Sequence, residues 1–194
     1  MTKEQILREA KALQAEIKSH RLWLHTHAET GFDLTETKPY VKSALMKMGY
    51  TVQECGKAGL VTTVGKPGGK VLLLRADMDA LPIAEEADVD FACQNGRMHA
   101  CGHDAHTAVG LGVARWLMDH KDELVGKVKL IFQPSEEGTR GSSPMTAAGV
   151  VDDVDWFFGG HIGTECHSHE VGVCHDVFLA TVKFDVDFTG LESH

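Results

Sequence analysis

Apolar residues recur at helical spacing over the first fifty positions of the chain. This spacing is shown by Ile6, Ala10, Leu13 and Ile17. It predicts an amphipathic helix that ends before the histidines of LHTHAETGF. A second helix is expected from about Glu36 to Lys47, ending at Gly49, with buried positions at Val41, Leu45 and Met48.

The pattern then changes to short apolar runs that alternate with helical stretches. Two short strands, TVQEC and LVTTVG, are closed by the turn KPGGK. Buried strands are expected at VLLLRA, KVKLIF and DWFFGG, and helices at Thr107 to His120 and at SPMTAAG. This order predicts an α/β fold with a largely parallel mixed sheet covered by helices on both faces. The final stretch, VFLATVKFDVDFTG, alternates as a long strand that leaves this domain.

Composition narrows the class of protein. The 194 residues are 43% hydrophobic, as in an ordinary globular domain. A formal net charge of -9 without a basic block argues against nucleic acid and anionic membrane surfaces as partners, since both need a basic surface. The charged N-terminus lacks the apolar core of a signal peptide, which predicts a cytoplasmic protein. The 5 cysteines are too few for a disulfide scaffold, so free thiols or thiolate ligands are expected.

Polar residues follow each predicted buried strand. VLLLRA leads into Asp77 and Asp79, KVKLIFQP into Glu136 and Glu137, and DWFFGG into His161. The stretch MHACGHDAHTAVGLGVA, which carries Cys101 and His103, lies between the first two strands. In open α/β sheets the working groups lie beyond the carboxyl ends of the strands. We therefore expect these side chains to meet at one edge of the sheet.

A thiolate, imidazoles and carboxylates together suit a first-row divalent metal. The adjacent glutamates add a feature that a structural zinc site does not need. One carboxylate can hold the metal while its neighbour takes a proton from water that the metal has acidified. The sequence therefore predicts a catalytic metal site.

The sequence is also compatible with two other interpretations. Cys101 could be a nucleophile activated by His103 or His106 near the start of the following helix. A second cluster in ECHSHEVGVCHD could bind metal through Cys166, His167, His169 and Cys174, or be a solvated loop. His25 and His27 are interpreted as histidines at a helix C-terminus or at the surface.

The sequence resembles the M20 metallopeptidase and amidohydrolase family. The motifs that carry the resemblance are RLWLHTHAETGF, LLLRADMDALPI, MHACGHDAHTAVGLGVA, LIFQPSEEGTRG, GVVDDVDWFFGGHIG and FTGLESH. It is most similar to the amidohydrolase branch, which includes N-acyl amino acid hydrolases, auxin-conjugate hydrolases and aminobenzoyl-glutamate hydrolases.

The resemblance implies a role for each matching residue. Metal ligation falls to Cys101, His103, Glu137 and His161. Glu136 would be the general base and acid, and Asp79 would orient the site. His194 matches the histidine that reaches the site of the partner protomer and stabilises the tetrahedral oxyanion.

The resemblance also implies an activity and an architecture. The activity is metal-dependent hydrolysis of the amide bond of an N-acyl or aminobenzoyl amino acid, or of a dipeptide-like substrate, with two zinc or manganese ions per site. The fold is a metallo-exopeptidase-like catalytic domain interrupted by a dimerisation domain, and the full-length enzyme is a homodimer. Residues 1–180 would be the N-terminal part of the catalytic domain, and residues 181–194 the start of a truncated dimerisation domain. We therefore expect the isolated chain to be nearly inactive. The alternative is that the chain is an inactive metal-binding or dimerising fragment of such an enzyme.

Overall fold

The computed structural model describes residues 1–138, 140–163, 166–168, 170–173 and 186–190. Its α-helices are Lys3–Ala12 (α1), Gln14–Thr26 (α2), Thr37–Lys47 (α3), His103–Asp119 (α4) and Ser142–Ala147 (α5). A short 3-10 helix spans Lys121–Glu123. The strands are Gln53–Cys55 (β1), Gly59–Gly65 (β2), Val71–Asp77 (β3), Lys127–Gln133 (β4) and Trp156–Gly159 (β5). Helices and strands therefore lie where the apolar pattern predicts them, apart from the differences described below.

The first predicted helix is two helices, and its predicted end is wrong. α1 begins at a capping box in which the Thr2 hydroxyl accepts from the Gln5 amide and the Gln5 side chain accepts from the Thr2 amide. The helical run is interrupted at Leu13, which ends α1 and precedes α2. α2 then continues through His25 instead of stopping before it.

The described strands form one mixed 5-stranded sheet in the order β1-β2-β4-β3-β5. β2 pairs antiparallel with β1 and with β4, whereas β3 pairs parallel with β4 and with β5. The carboxyl ends of β3, β4 and β5 therefore lie at the same edge of the sheet. This arrangement confirms the predicted α/β fold.

Helices pack on both faces of the sheet, as predicted. On one face the core joins the sheet to α2, α3 and α4 through Leu24, Leu45, Leu60, Leu111 and Phe132. The other face packs against α5 through a smaller cluster that contains Leu73, Ile131 and Met145. Alternating residues of β4 thus serve different cores, since successive side chains of a strand point to opposite faces.

β5 is a strand, as predicted, but it is not buried. It lies at the end of the sheet, and its residues Trp156, Phe157 and Phe158 are 61%, 59% and 63% exposed. No strand within the described ranges pairs with its outer edge. The apolar sequence of β5 therefore forms an exposed aromatic strip.

The chain divides into two compact units, Met1–Ile162 and Gly163–His194. The first unit contains every helix and strand given above. In the second, the amide of His167 donates to Glu170 Oε2 and the amide of Glu170 donates to the His167 carbonyl. The predicted long strand lies largely outside the described residues, as does the predicted boundary near residue 180. The helices of the described residues are all too short or too polar to span a membrane.

Candidate metal centre

Three strand ends and one helix start supply the residues of the candidate site. Asp77 is the last residue of β3, the two glutamates follow β4, and His161 follows β5. α4 begins at His103 rather than at the predicted Thr107, so His103 and His106 both belong to its first turns. All these residues belong to the unit Met1–Ile162.

Gly102 allows the chain to turn from Cys101 directly into α4. Its φ of 89° lies in the left-handed region, where a side chain would strain the backbone. A Cβ atom at this position would also approach Ile162 Cδ1 to 3.1 Å. Gly102 therefore brings Cys101, His103 and the segment after β5 close together.

The structure brings Cys101, His103 and His161 into one group. Their ligand atoms all lie within 4.8 Å of one another. Cys101 Sγ is 3.4 Å from His161 Nε2. One sulfur and two nitrogen atoms at such spacing can share a single divalent ion.

Main-chain carbonyls fix both imidazole rings. His103 Nδ1 is 2.7 Å from the Asp79 carbonyl oxygen, and His161 Nδ1 is 2.6 Å from the Ile162 carbonyl oxygen. A carbonyl only accepts, so each Nδ1 carries a proton, and in the neutral imidazole each Nε2 then has a lone pair. His103 Nε2 is buried and has no hydrogen-bond partner within the described part of the chain. A metal ion would satisfy this nitrogen, and the donor set therefore fits a divalent metal.

The carboxylates of Glu136 and Glu137 also lie near His103 Nε2. Glu136 Oε2 is 3.9 Å and Glu137 Oε1 is 3.8 Å from His103 Nε2, and these three residues form a second candidate group. The Glu137 side chain is 21% exposed and its Oε1 is buried without a hydrogen-bond partner in the described residues. The Glu136 side chain is 41% exposed. The two neighbours therefore occupy different environments.

The Asp79 carboxylate holds the turn that carries the glutamates. Its Oδ1 accepts from the Glu136 amide at 2.9 Å, and its Oδ2 accepts from the Glu137 amide at 3.1 Å. The side chain is fully buried. Both oxygens are therefore used to fix the backbone of the glutamate pair.

Burial and neighbouring carboxylates shift the pKa values of two candidate ligands, His103 and Cys101. Burial lowers the pKa of His103, but the Asp79 hydrogen bond and the charges of Asp77 and Asp79 outweigh burial and raise it. Burial, followed by the neighbouring Glu137, raises the pKa of the Cys101 thiol to about 12. A nucleophilic cysteine needs a lowered pKa, so this environment disfavours the cysteine-hydrolase alternative.

Asp77 and His106 form a buried pair beside the metal-ligand candidates. Asp77 Oδ1 is 2.6 Å from His106 Nδ1, and Asp77 Oδ2 is 2.7 Å from the Arg75 guanidinium. Burial raises the pKa of Asp77, but the His106 hydrogen bond and the Arg75 charge outweigh it and bring it to about 2. Asp77, His103 and His106 form a third group of close ligand atoms.

A second buried network was not anticipated from the sequence. His25 lies in the last turn of α2, but it is buried rather than at the surface. Its Nδ1 is 2.7 Å from Asp104 Oδ2, and its Nε2 is 3.0 Å from Glu85 Oε1. Asp104 also accepts from Arg21 Nε at 2.8 Å. The only sequence signal for this network was the acidic residue in the first turn of α4.

His27 is the half-buried C-cap of α2. Cys166 and His167 are exposed, whereas His169, Cys174 and His194 lie outside the described residues. Cys55, Cys93, Cys101 and Cys166 are free thiols, in agreement with the prediction from composition.

Comparison with known proteins identifies the family. The sequence profile of peptidase family M20/M25/M40 matches residues 73–192, the segment that carries the whole candidate centre. The chain belongs to this family. The M20 chain is 52% identical over 151 residues to indole-3-acetyl-aspartic acid hydrolase of Enterobacter agglomerans, covering 73% of the chain and 34% of that protein. It is 50% identical to one of the subunits of p-aminobenzoyl-glutamate hydrolase of Escherichia coli, with the same coverage of 73% and 34%.

A solved structure supports the fold of the M20 chain. It is that of a Bacillus subtilis protein described as a dinuclear metal-binding peptidase from the M20 family, with a TM-score of 0.74 and 38% identity. The match covers 78% of the M20 chain and 44% of that chain. These similarities confirm the resemblance inferred from the motifs. The M20 chain spans about a third of the length of the two curated relatives, since it covers 34% of each.

Proposed function

We propose that this chain carries the centre of a metal-dependent amidohydrolase that cleaves the amide bond of an N-acyl or aminobenzoyl amino acid. One observation carries the proposal. The buried Nε2 of His103 has no hydrogen-bond partner in the described residues, and Cys101, His161 and the carboxylates of Asp77, Glu136 and Glu137 lie near it. The names of the relatives, which hydrolyse an indole-3-acetyl and an aminobenzoyl conjugate, support this substrate class.

Cys101, His103, Glu137 and His161 would hold the metal. A divalent metal in this position would polarise the substrate carbonyl and make a neighbouring water more acidic. The orphaned Oε1 of Glu137 supports its assignment as a ligand, since a buried carboxylate oxygen needs a partner. Asp79 would keep both glutamates in position through their amides.

Glu136 would act as general base and then as general acid. Its more exposed carboxylate can face substrate and water, while its Oε2 stays 3.9 Å from His103 Nε2. Oε2 would take the proton from the attacking water and deliver it to the amide nitrogen as the carbon–nitrogen bond breaks. The site then needs no covalent intermediate.

Finer features rest on the family resemblance. We infer two ions per site, either zinc or manganese, and the dinuclear relative supports this number. We also infer a cytoplasmic homodimer in which His194 serves the partner's site. The division into residues 1–180 and 181–194 remains a prediction.

Glutamine substitutions separate the two glutamate roles. Glu137→Gln in this chain should lower the metal content of the purified protein, because an amide oxygen binds a cation more weakly than a carboxylate. Glu136→Gln should leave the metal content unchanged. The same change at the matching position of a full-length relative should lower turnover by about 10² to 10⁴. Metal content is measured by elemental analysis, and turnover with aminobenzoyl-glutamate.

The opposite pattern would contradict these roles. Loss of metal on Glu136→Gln, with metal retained on Glu137→Gln, would exchange base and ligand.

Chelation tests the reaction class in the same full-length relative. Activity that survives chelation but disappears when the matching cysteine is alkylated would instead establish a cysteine hydrolase.

A further inference from the structure

We propose that His106 is a positioning residue that sets the orientation of the metal-ligand candidate His161. It does so by linking the buried Asp77 carboxylate to the Ile162 amide. This inference rests on the proposed function, because it takes His161 as a ligand. Neither the motifs nor the predicted ligand set assigned His106 such a role.

The hydrogen bonds of His106 define its tautomer. The Ile162 amide donates to His106 Nε2 at 2.9 Å, so Nε2 carries no proton. Nδ1 must therefore hold the proton, which it donates to Asp77 Oδ1 at 2.6 Å. The imidazole thus connects a carboxylate at the end of β3 to the backbone after β5.

The inner end of this chain of hydrogen bonds is rigid. Asp77 is buried in β3, and Arg75 binds its second oxygen at 2.7 Å. The Thr107 hydroxyl donates to the Asp77 carbonyl at 2.6 Å and ties α4 to the same strand. His106 is itself buried. The bond to Asp77 and the attachment of α4 to β3 therefore fix the His106 ring independently of its bond to Ile162.

The outer end lacks such support. His161 is exposed, and it follows an edge strand whose side chains are largely exposed. Packing therefore restrains it little. Besides Cys101 Sγ, which is 3.4 Å from its Nε2, the contacts of His161 run through Ile162, whose amide binds His106 and whose carbonyl accepts from His161 Nδ1 at 2.6 Å. The His106 and His161 rings also meet edge to face, with centroids 4.4 Å apart.

His106 is not itself suited to bind the metal. Its Nδ1 is engaged by Asp77 and its Nε2 by the Ile162 amide. His103 and His161 differ from it, because each has one nitrogen held by a carbonyl and Nε2 available to the site. His106 therefore acts on the site through Ile162 and His161.

Two amide substitutions separate the two hydrogen bonds of His106. The side-chain amide of asparagine lies close to where Nδ1 lies in histidine. His106→Asn can therefore still donate to Asp77, but it no longer has an acceptor for the Ile162 amide. Glutamine reaches the position of Nε2, so His106→Gln can still accept from the Ile162 amide. Ile162→Pro removes the same amide donor and leaves His106 unchanged. His120→Asn, in the half-buried C-cap at the far end of α4, is the matched control.

The measurement is the dissociation constant for Co²⁺, obtained with the full chain by competition against a chromogenic chelator. His106→Asn and Ile162→Pro should each weaken binding by about 10- to 100-fold, the usual effect of losing a residue that orients a ligand. His106→Gln loses the bond to Asp77 but can still accept from the Ile162 amide, so it should weaken binding less than His106→Asn does. His120→Asn should stay near wild type. The double variant His106→Asn/His161→Ala should bind no more weakly than His161→Ala alone, because His106 acts through His161. Thermal unfolding in chelator shows whether each variant is folded.

Distinct results would overturn the proposal. If His161→Ala weakens Co²⁺ binding but His106→Asn and Ile162→Pro do not, the positioning role is wrong and the ligand set survives. If His106→Asn and His161→Ala weaken binding additively, His106 acts independently of His161. If His161→Ala has no effect, the ligand set of the proposed function is wrong, and the positioning role is wrong with it. Should His106→Asn fail to fold, Ile162→Pro tests the same bond from its other end.

Discussion

At the scale of single residues, individual carboxylate and carbonyl groups fix the orientation of the candidate site residues. The Asp79 side chain shows this most directly, because each of its oxygens accepts from one backbone amide of the glutamate pair. Its own carbonyl accepts from His103 Nδ1. One buried residue therefore orients both a histidine and the two glutamates.

Asp79→Asn should lower the free energy of unfolding. Asparagine offers one acceptor oxygen, and its amide group would face the second N–H group, which then stays buried without a partner. Such a loss costs about 1 to 3 kcal/mol. Urea denaturation in the presence of chelator measures the free energy of unfolding.

Asp119→Asn is the control for this change. Asp119 pairs with Arg115 at the surface, at 3.1 Å, and exposed pairs contribute about 0 to 1 kcal/mol. An Asp79→Asn variant as stable as Asp119→Asn would show that the two amides do not depend on the Asp79 carboxylate.

His20 predicts a dependence of stability on pH that is independent of the metal centre. Burial lowers the pKa of His20 more than the nearby Glu16 raises it. Its Nδ1 is 2.8 Å from the Tyr40 hydroxyl. The unfolded chain, with the ordinary histidine pKa of about 6.5, binds a proton at a higher pH than the folded chain does. The free energy of unfolding therefore falls as the pH is lowered through this range.

His20→Gln should remove this component. The free energy of unfolding of the wild type should therefore fall more steeply than that of the variant between about pH 7.5 and pH 5, with chelator present. Urea denaturation at several pH values gives both curves. Parallel curves would contradict the lowered pKa of His20.

At the scale of elements, the sequence predicts the strands and helices from their apolar spacing but misses contacts between distant residues. α4 begins at His103, four residues before the predicted start, because Gly102 adopts a left-handed conformation that spacing does not reveal. α2 continues through His25 because Asp104 and Glu85 bind that side chain. The predicted ligand group of Cys101, His103 and His161 follows from the parallel strand ends, whereas the hydrogen bonds that fix each ring do not.

Gly102→Ala should destabilise the start of α4 by two separate effects. A positive φ strains alanine by about 1 kcal/mol or more, and the new Cβ would also press on Ile162 Cδ1 at 3.1 Å. Gly49→Ala carries the strain alone, because Gly49 has a φ of 98° and nothing within 4 Å of its Cβ position. We expect Gly102→Ala to be the less stable variant, and only it to weaken Co²⁺ binding. Equal losses of stability and unchanged binding would show that the approach to Ile162 is unimportant.

At the scale of the whole molecule, the exposed aromatic strip of β5 has a consequence for solubility. The outer edge of β5 is unpaired within the described residues, and an edge strand with large apolar side chains favours pairing with another copy of the chain. The net charge of -9 opposes association but does not fall on the strip itself. We therefore expect self-association that increases with protein concentration.

Phe157→Lys should reduce this association, because a charged side chain on an edge strand opposes pairing. Met46→Lys is the control, since Met46 is also largely exposed but lies on α3. Sedimentation velocity over a range of concentrations measures the effect. An equal reduction by both variants would indicate that net charge, rather than the strip, controls association.

The order of the strands also sets when the candidate centre can form. Cys101, His103 and the glutamate pair precede β5, so a growing chain has these groups before His161 emerges from the ribosome. β3 can pair with β4 at that stage, but β5 must still be added at the sheet edge. Since domains fold as their chain is completed, Cys101 is synthesised before the set of candidate ligands is complete. If these residues bind metal as proposed, we expect the nascent chain to be most sensitive to thiol oxidation and to binding of a wrong metal in the interval before β5 pairs.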